Sequence, residues 1–168
     1  MLLVVIRHAI ALTREEFART GRDDSLRPLS DRGREKMTSA AAGLRALVPS
    51  IDVLAASPLT RAQQTARIVA KEYRRLRVVT TSSLEPDSEL EAFAEWLRAR
   101  RADVVAVVGH EPHLGTLVTW LLTGLEDSRI PMRKGAACLL EFRSRPAPAK
   151  ARLHWALTAS QLGRLADR

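Results

Sequence analysis

Short apolar runs alternate along this chain with stretches of helical periodicity. Leu2-Leu3-Val4-Val5-Ile6 comes first, three of its residues β-branched. Such a run reads as a strand buried on both faces. It stops abruptly at Arg7-His8. Ile51 to Ala56, Arg77 to Thr81 and Asp103 to Val108 repeat the pattern and are expected to be the next three strands. Between them the apolar spacing becomes helical. Ser30 and Asp31 suit an N-cap and first turn, and Met37, Ala40, Ala41, Leu44, Leu47 and Val48 then follow helical steps up to Pro49. Ser57-Pro58 reads as the cap and first position of a helix running from Leu59 to about Arg75. Glu89 to Arg101 is amphipathic, with Leu90, Phe93, Trp96 and Leu97 inward. Glu111-Pro112 starts a helix over roughly His113 to Thr123, stopped by Gly124.

The C-terminal third carries two more strands, Ala136 to Arg143 and Ala151 to Leu157. The connection Arg145-Pro146-Ala147-Pro148 makes them an antiparallel hairpin, and a short helix from Ala159 to Leu165 follows. Thr13 to Leu29 has little periodicity and reads as a long loop with about one helical turn. Ordered loops of that length are often functional. The whole pattern predicts an α/β fold: a three-layer sandwich, its sheet mixed but mostly parallel, with helices on both faces. At 168 residues the chain suits a single domain, residues 1–168, with no linker or internal repeat.

Composition narrows the setting. Hydrophobic residues make up 46% of the chain, which places it among globular proteins. The single cysteine, Cys138, excludes an internal disulfide and lies in an apolar run, as a buried thiol does. No signal peptide precedes the first strand, and the longest apolar segment, Leu114 to Leu125, is too short to span a bilayer. A cytoplasmic protein without a membrane partner is expected. The net charge is +8, carried by twenty-three arginines and only four lysines. Basic surfaces attract nucleic acid, but aromatic residues are only 4% of the chain, so interleaved stacking platforms are missing and no nucleic-acid partner is expected.

Candidate chemistry collects at the strand ends. Strand one ends at Arg7-His8, strand two at Ser57 and strand four at His110. A parallel sheet puts these on one edge, where open α/β sheets bind ligands. Helix N-termini there suit anions. Arg61 sits one turn into its helix, and its side chain leans back toward the same edge. Two arginines and two histidines around helix starts describe a site for a phosphoryl group. His110 and His113 are three residues apart, but the segment is not His-Glu-x-x-His and cysteine ligands are lacking, so no metal site is expected. His113 is expected to be an exposed first-turn residue and His154 a structural one.

Ordered along the chain, Arg7-His8, Arg27-Pro28-Leu29-Ser30, Ser57-Pro58-Leu59-Thr60-Arg61-Ala62-Gln63-Gln64-Thr65-Ala66, Val108-Gly109-His110-Glu111-Pro112 and Trp155-Ala156-Leu157-Thr158 resemble the histidine phosphatase superfamily. The resemblance is strongest to its short SixA-type phosphohistidine phosphatases. It implies that His8 attacks phosphorus and forms a phosphohistidine intermediate, with Arg7, Arg61 and His110 holding the phosphoryl oxygens and no metal or cofactor needed. A nucleophilic imidazole must be neutral at one nitrogen, which the neighbouring arginines favour, while its other nitrogen needs an acceptor such as a backbone carbonyl. Arg27 is a further candidate phosphate contact, or pins the loop to Asp23 or Asp24. The general acid falls to Glu85, with Asp87 the alternative. Because an ester oxygen needs a proton from an acid more than a phosphoramidate does, Glu85→Gln is expected to harm ester hydrolysis the more.

The family usually has glycine after the nucleophile. Ala9 stands there, so the backbone must take an ordinary conformation. The resemblance implies a phosphorylated protein as partner, such as a histidine phosphotransfer domain. Two alternatives remain open: a small-molecule phosphatase acting on a sugar phosphate or polyphosphate, and a non-catalytic phosphate-binding module. A mutase is disfavoured, because Ala9-Ile10-Ala11-Leu12 lacks the polar residues mutases place after the histidine. Thr20-Gly21 resembles a mutase substrate loop only faintly.

Overall fold

A computed structural model describes the protein at residues 1–74, 76–128 and 130–166. Its regular elements are β1 (Leu2–Arg7), α1 (Arg14–Ala18), α2 (Asp31–Leu47), β2 (Val53–Ala56), α3 (Thr60–Glu72), β3 (Val78–Thr80), α4 (Leu90–Arg98), β4 (Val104–Gly109), α5 (His113–Thr123), β5 (Ala137–Phe142), β6 (Ala151–Leu157) and α6 (Ala159–Ala166). The six strands form one sheet in the order β3-β2-β4-β1-β5-β6. β1, β2, β3 and β4 pair in parallel, whereas β5 runs antiparallel to both β1 and β6. The sheet is therefore mixed and mostly parallel, as the alternation of strand and helix requires.

Alternate side chains of β1 enter two cores, because successive residues of a strand point to opposite faces. Val4 and Ile6 pack with Met37 and Leu44 of α2, Ala66 and Val69 of α3, and Leu162 of α6. Leu3 and Val5 pack with Phe93 and Leu97 of α4 and with Leu114, Leu117 and Leu121 of α5. Helices thus cover both faces in three layers. Cys138 belongs to the second core, where burial pushes its thiol up to about 12. α2 and α6 meet through Gly43: a Cβ there would lie 1.8 Å from the Leu162 carbonyl oxygen. No helix among the described residues is long and apolar enough to cross a membrane.

Three local expectations need correction. Ser57 does not cap α3. The N-cap position is Leu59, which makes no side-chain cap bond, and the Ser57 hydroxyl is instead engaged by His110. The helix ends at Glu72, and Arg75, its expected end, lies outside the described residues. α4 stops at Arg98, short of Arg101, so that the chain can enter β4. Finally, the stretch from Thr13 to Leu29 holds both α1 and a 3-10 turn, Asp24–Leu26. Thr13 and Glu16 form a capping box on α1, and Phe17 is its one buried residue. Local side-chain bonds hold this helix rather than an apolar stripe, so periodicity cannot reveal it.

The order of strands fixes where a ligand can sit. β1 leads to α2 on one face of the sheet, and its neighbour β4 leads to α5 on the other. Adjacent strands whose connections part in this way open a crevice at their C-terminal ends. Arg7-His8 and Gly109-His110 stand at its two sides.

Candidate active site

Backbone pairing continues one residue past the strands and levels their ends. His8 N–H donates to the Gly109 carbonyl at 3.0 Å, and Ser57 N–H to the Val108 carbonyl at 3.0 Å. The His8 and His110 rings consequently lie 5.1 Å apart between centroids. Gly135, at φ +74°, donates its N–H to the carbonyls of Arg7 and His8 at 3.2 and 3.1 Å. That left-handed conformation suits glycine, and it lets the loop before β5 close on the nucleophile's backbone.

His8 is held by one firm contact, Nδ1 to the Ala9 carbonyl oxygen at 2.7 Å. A carbonyl only accepts, so Nδ1 carries the proton and Nε2 keeps its lone pair. Nε2 has no hydrogen-bond partner among the described residues. Burial is the largest cause that holds the imidazole down at about 3; the Ala9 carbonyl comes next and pulls the other way, and the charges of Arg61, Arg7 and Lys134 each add a smaller downward push. The ring is neutral at pH 7. Ala9 has no left-handed φ; among described residues other than glycine, Ala149 alone has one.

Arg7, Arg61 and His110 line the same cavity of about 780 Å³ as His8. Arg7 donates through Nη1 to the Met132 carbonyl at 2.7 Å, and Met132 N–H donates to Glu111 Oε1 at 2.9 Å. Arg61 is 5% exposed and donates through Nη1 to the backbone oxygen of Asp24 at 3.0 Å and its Oδ2 at 3.3 Å. The Nε groups of both arginines are buried without a partner among the described residues. Such orphaned charged donors are costly unless a ligand takes them. His110 Nε2 lies 2.9 Å from Ser57 Oγ. Burial leads the causes that put His110 at about 3, with His8, Arg61, His113 and Arg7 adding to it.

Other expected residues are placed differently. Arg27 lines the cavity, but its Nε bonds Asp24 Oδ1 at 2.7 Å and its Nη1 bonds the Leu12 carbonyl at 2.8 Å. It pins the loop. Glu85 does not line the cavity; it borders a neighbouring depression with Ser82, Ser88 and Ala92. Asp87 lines both. Glu85 follows the 3-10 turn from Ser82 to Leu84 and lies outside the cavity that holds His8. His113 is buried rather than exposed, at 5%, and it lies beside Asp87 and Ser88, which favour its charged form against the burial. His154 lies at the surface, 3.2 Å from Glu141 across the β5–β6 pair. Among the described residues no three His, Cys, Asp or Glu side chains group as metal ligands.

Sequence reasoning missed Glu111, Met132, Lys134, Arg14, Asp24 as a partner of Arg61, and Ser57 as a partner of His110. Met132 acts through its carbonyl, which no side-chain pattern encodes. Arg14 and Lys134 reach the cavity only because α1 and the loop before β5 fold over the strand ends.

The profile of the histidine phosphatase superfamily (branch 1) matches residues 3–85. An uncharacterized protein of Picosynechococcus sp. is 31% identical over 154 residues, 90% of each chain. Among solved structures, the protein histidine phosphatase SixA complexed with tungstate has a TM-score of 0.83 at 22% identity, over 96% of this chain and 99% of that one. The alpha-ribazole phosphatase from Shigella flexneri has a TM-score of 0.70 at 19% identity, over 95% and 97%. Both share the fold. With the profile spanning Arg7, His8 and Arg61 and the relative extending the match over nine-tenths of the protein, this chain belongs to the histidine phosphatase superfamily.

Proposed function

We propose that the protein is a phosphatase in which His8 carries the phosphoryl group, and that its substrate is phosphohistidine in a partner protein. The carrying observation is the His8 ring itself: proton on Nδ1, held by Ala9, and a free Nε2 in a cavity lined by Arg7 and Arg61. In the first step Nε2 attacks phosphorus in line, a P–N bond forms, and the bond to the leaving group breaks. Arg7 and Arg61 take the non-bridging oxygens with donors fixed in advance, which is the largest source of stabilisation open to a phosphoryl transfer. A phosphoryl dianion would raise the pKa of His110 and favour an imidazolium beside the transferring charge. Water then attacks phospho-His8, releasing inorganic phosphate and restoring the free ring.

The substrate class rests on the SixA-type resemblance and on leaving-group chemistry. An imidazole already protonated on its second nitrogen departs neutral and needs little help from an enzyme acid. Where a proton is needed, Asp87 is the better donor than Glu85, since it borders the cavity that holds His8. That placement favours a phosphomonoester as the second reading.

Rapid quench with a phosphohistidine peptide, followed by mapping of the phosphoryl group, tests both parts. Phosphate on His8, lost in His8→Ala together with turnover, is expected. Turnover unchanged in His8→Ala, or phosphate on another residue, would refute the mechanism. A higher kcat/KM on sugar phosphates than on the peptide would replace the substrate.

A further inference from the structure

His8 holds its tautomer through the Ala9 carbonyl, which belongs to the Ala9–Ile10 peptide, and the peptide just before that one is clamped from two sides. The peptide unit joining His8 to Ala9 offers one carbonyl and one N–H. Gly135 N–H donates to the carbonyl at 3.1 Å. The Ala9 N–H donates to Thr65 Oγ1 at 3.0 Å. Thr65 is fully buried on α3, one turn beyond Arg61. Its hydroxyl spends its single proton on the Arg61 carbonyl at 2.8 Å. Its lone pairs are therefore left for Ala9, with no second orientation of the hydroxyl to choose. One side chain thus ties the residue after the nucleophile to the helical turn that presents the phosphate-binding arginine.

We propose that Thr65 is the positioning residue that sets the tautomer and aim of His8. Its hydroxyl orients the Ala9 backbone, the Ala9 carbonyl binds Nδ1–H, and the proton is thereby kept off Nε2. Without the hydroxyl the Ala9 N–H is buried and unpaired, a cost the chain relieves by turning the His8–Ala9 peptide, which changes the Ala9 backbone angles and carries the following Ala9–Ile10 peptide with it. The Ala9 carbonyl then moves from Nδ1, and the neutral ring is free to place its proton on Nε2, the attacking atom. Ala9 heightens the need for such a clamp, because its backbone is shaped by partners and not by the special geometry open to glycine.

The role rests on the nucleophilic reading of His8, but the tautomer can be read without turnover. The test compares wild type, Thr65→Val and Thr65→Ser, each labelled with 15N-histidine, by long-range 1H–15N correlation at pH 7.5, with His8→Asn for assignment. Thr65→Ala replaces the valine variant if the latter does not fold. In wild type and Thr65→Ser, His8 shows the Nδ1–H form. In Thr65→Val it shows a mixture with Nε2–H, and kcat falls about 10- to 100-fold, while KM and the affinity for inorganic phosphate are kept. An unmixed Nδ1–H form in Thr65→Val, or failure of serine to restore it, overturns the proposal. A shifted tautomer with unchanged kcat supports the clamp and overturns the nucleophilic role of His8 instead.

Discussion

The two site histidines owe their character to burial more than to any single neighbour. Burial is the largest cause that holds both at about 3, whereas the arginines alone were the reason available from sequence. In NMR titrations of the free protein, neither His8 nor His110 is expected to show a midpoint between pH 5 and 8, while saturating inorganic phosphate brings the His110 midpoint up toward that range. A His8 midpoint near 6.5 would contradict the buried, neutral nucleophile. The acid is a second matter of single residues. With Asp87 on the cavity and Glu85 off it, Asp87→Asn should lower kcat on an aryl phosphate by about 100-fold and leave phosphohistidine hydrolysis much less affected. Glu85→Gln should spare both. The opposite ranking in parallel assays would return the role to Glu85.

Elements bring these residues together through contacts that are not periodic. α3 is anchored at its start by Leu59 with no side-chain cap, and the serine that looks like its cap serves His110 instead. The Thr13–Leu29 stretch delivers Asp24 to Arg61 and Arg27, so the loop is fastened to the arginine it borders. α2 and α6 approach closely only because position 43 lacks a Cβ. Gly43→Ala should therefore cost about 1–3 kcal/mol in urea unfolding, by overpacking against the Leu162 backbone. Activity per folded molecule should be kept, since neither helix contributes a residue to the cavity. Loss of activity without loss of stability would show that this contact reaches the site.

For the whole molecule, the buried histidines tie stability to pH. His8, His110 and His113 all have folded values below the ordinary 6.5, chiefly through burial. Below about 6.5 the unfolded chain binds protons that the folded protein refuses. Their contribution is thus complete above the unfolded value and is lost as pH falls below it, for His8 and His110 down to about 3. Glu111, raised by burial, works in the opposite sense, but it is one group against three. Urea midpoints should drop between pH 7 and pH 4.5, and the drop should be shallower in a His8→Asn, His110→Asn protein; an equal drop would place the acid sensitivity elsewhere. Sequence by itself determined the strands, the main helices and the expected meeting of Arg7, His8, Arg61 and His110 at one sheet edge. Those features follow from apolar periodicity and from motifs whose residues are near in sequence. Tertiary structure alone decided that Asp87 borders the cavity while Glu85 stays outside it, that His113 is buried, that Ser57 serves His110, that the Ala9 carbonyl holds the His8 ring and that Thr65 takes the Ala9 N–H. Each of these depends on the direction of a side chain or carbonyl after distant segments have packed, and no local pattern of residues specifies such a direction.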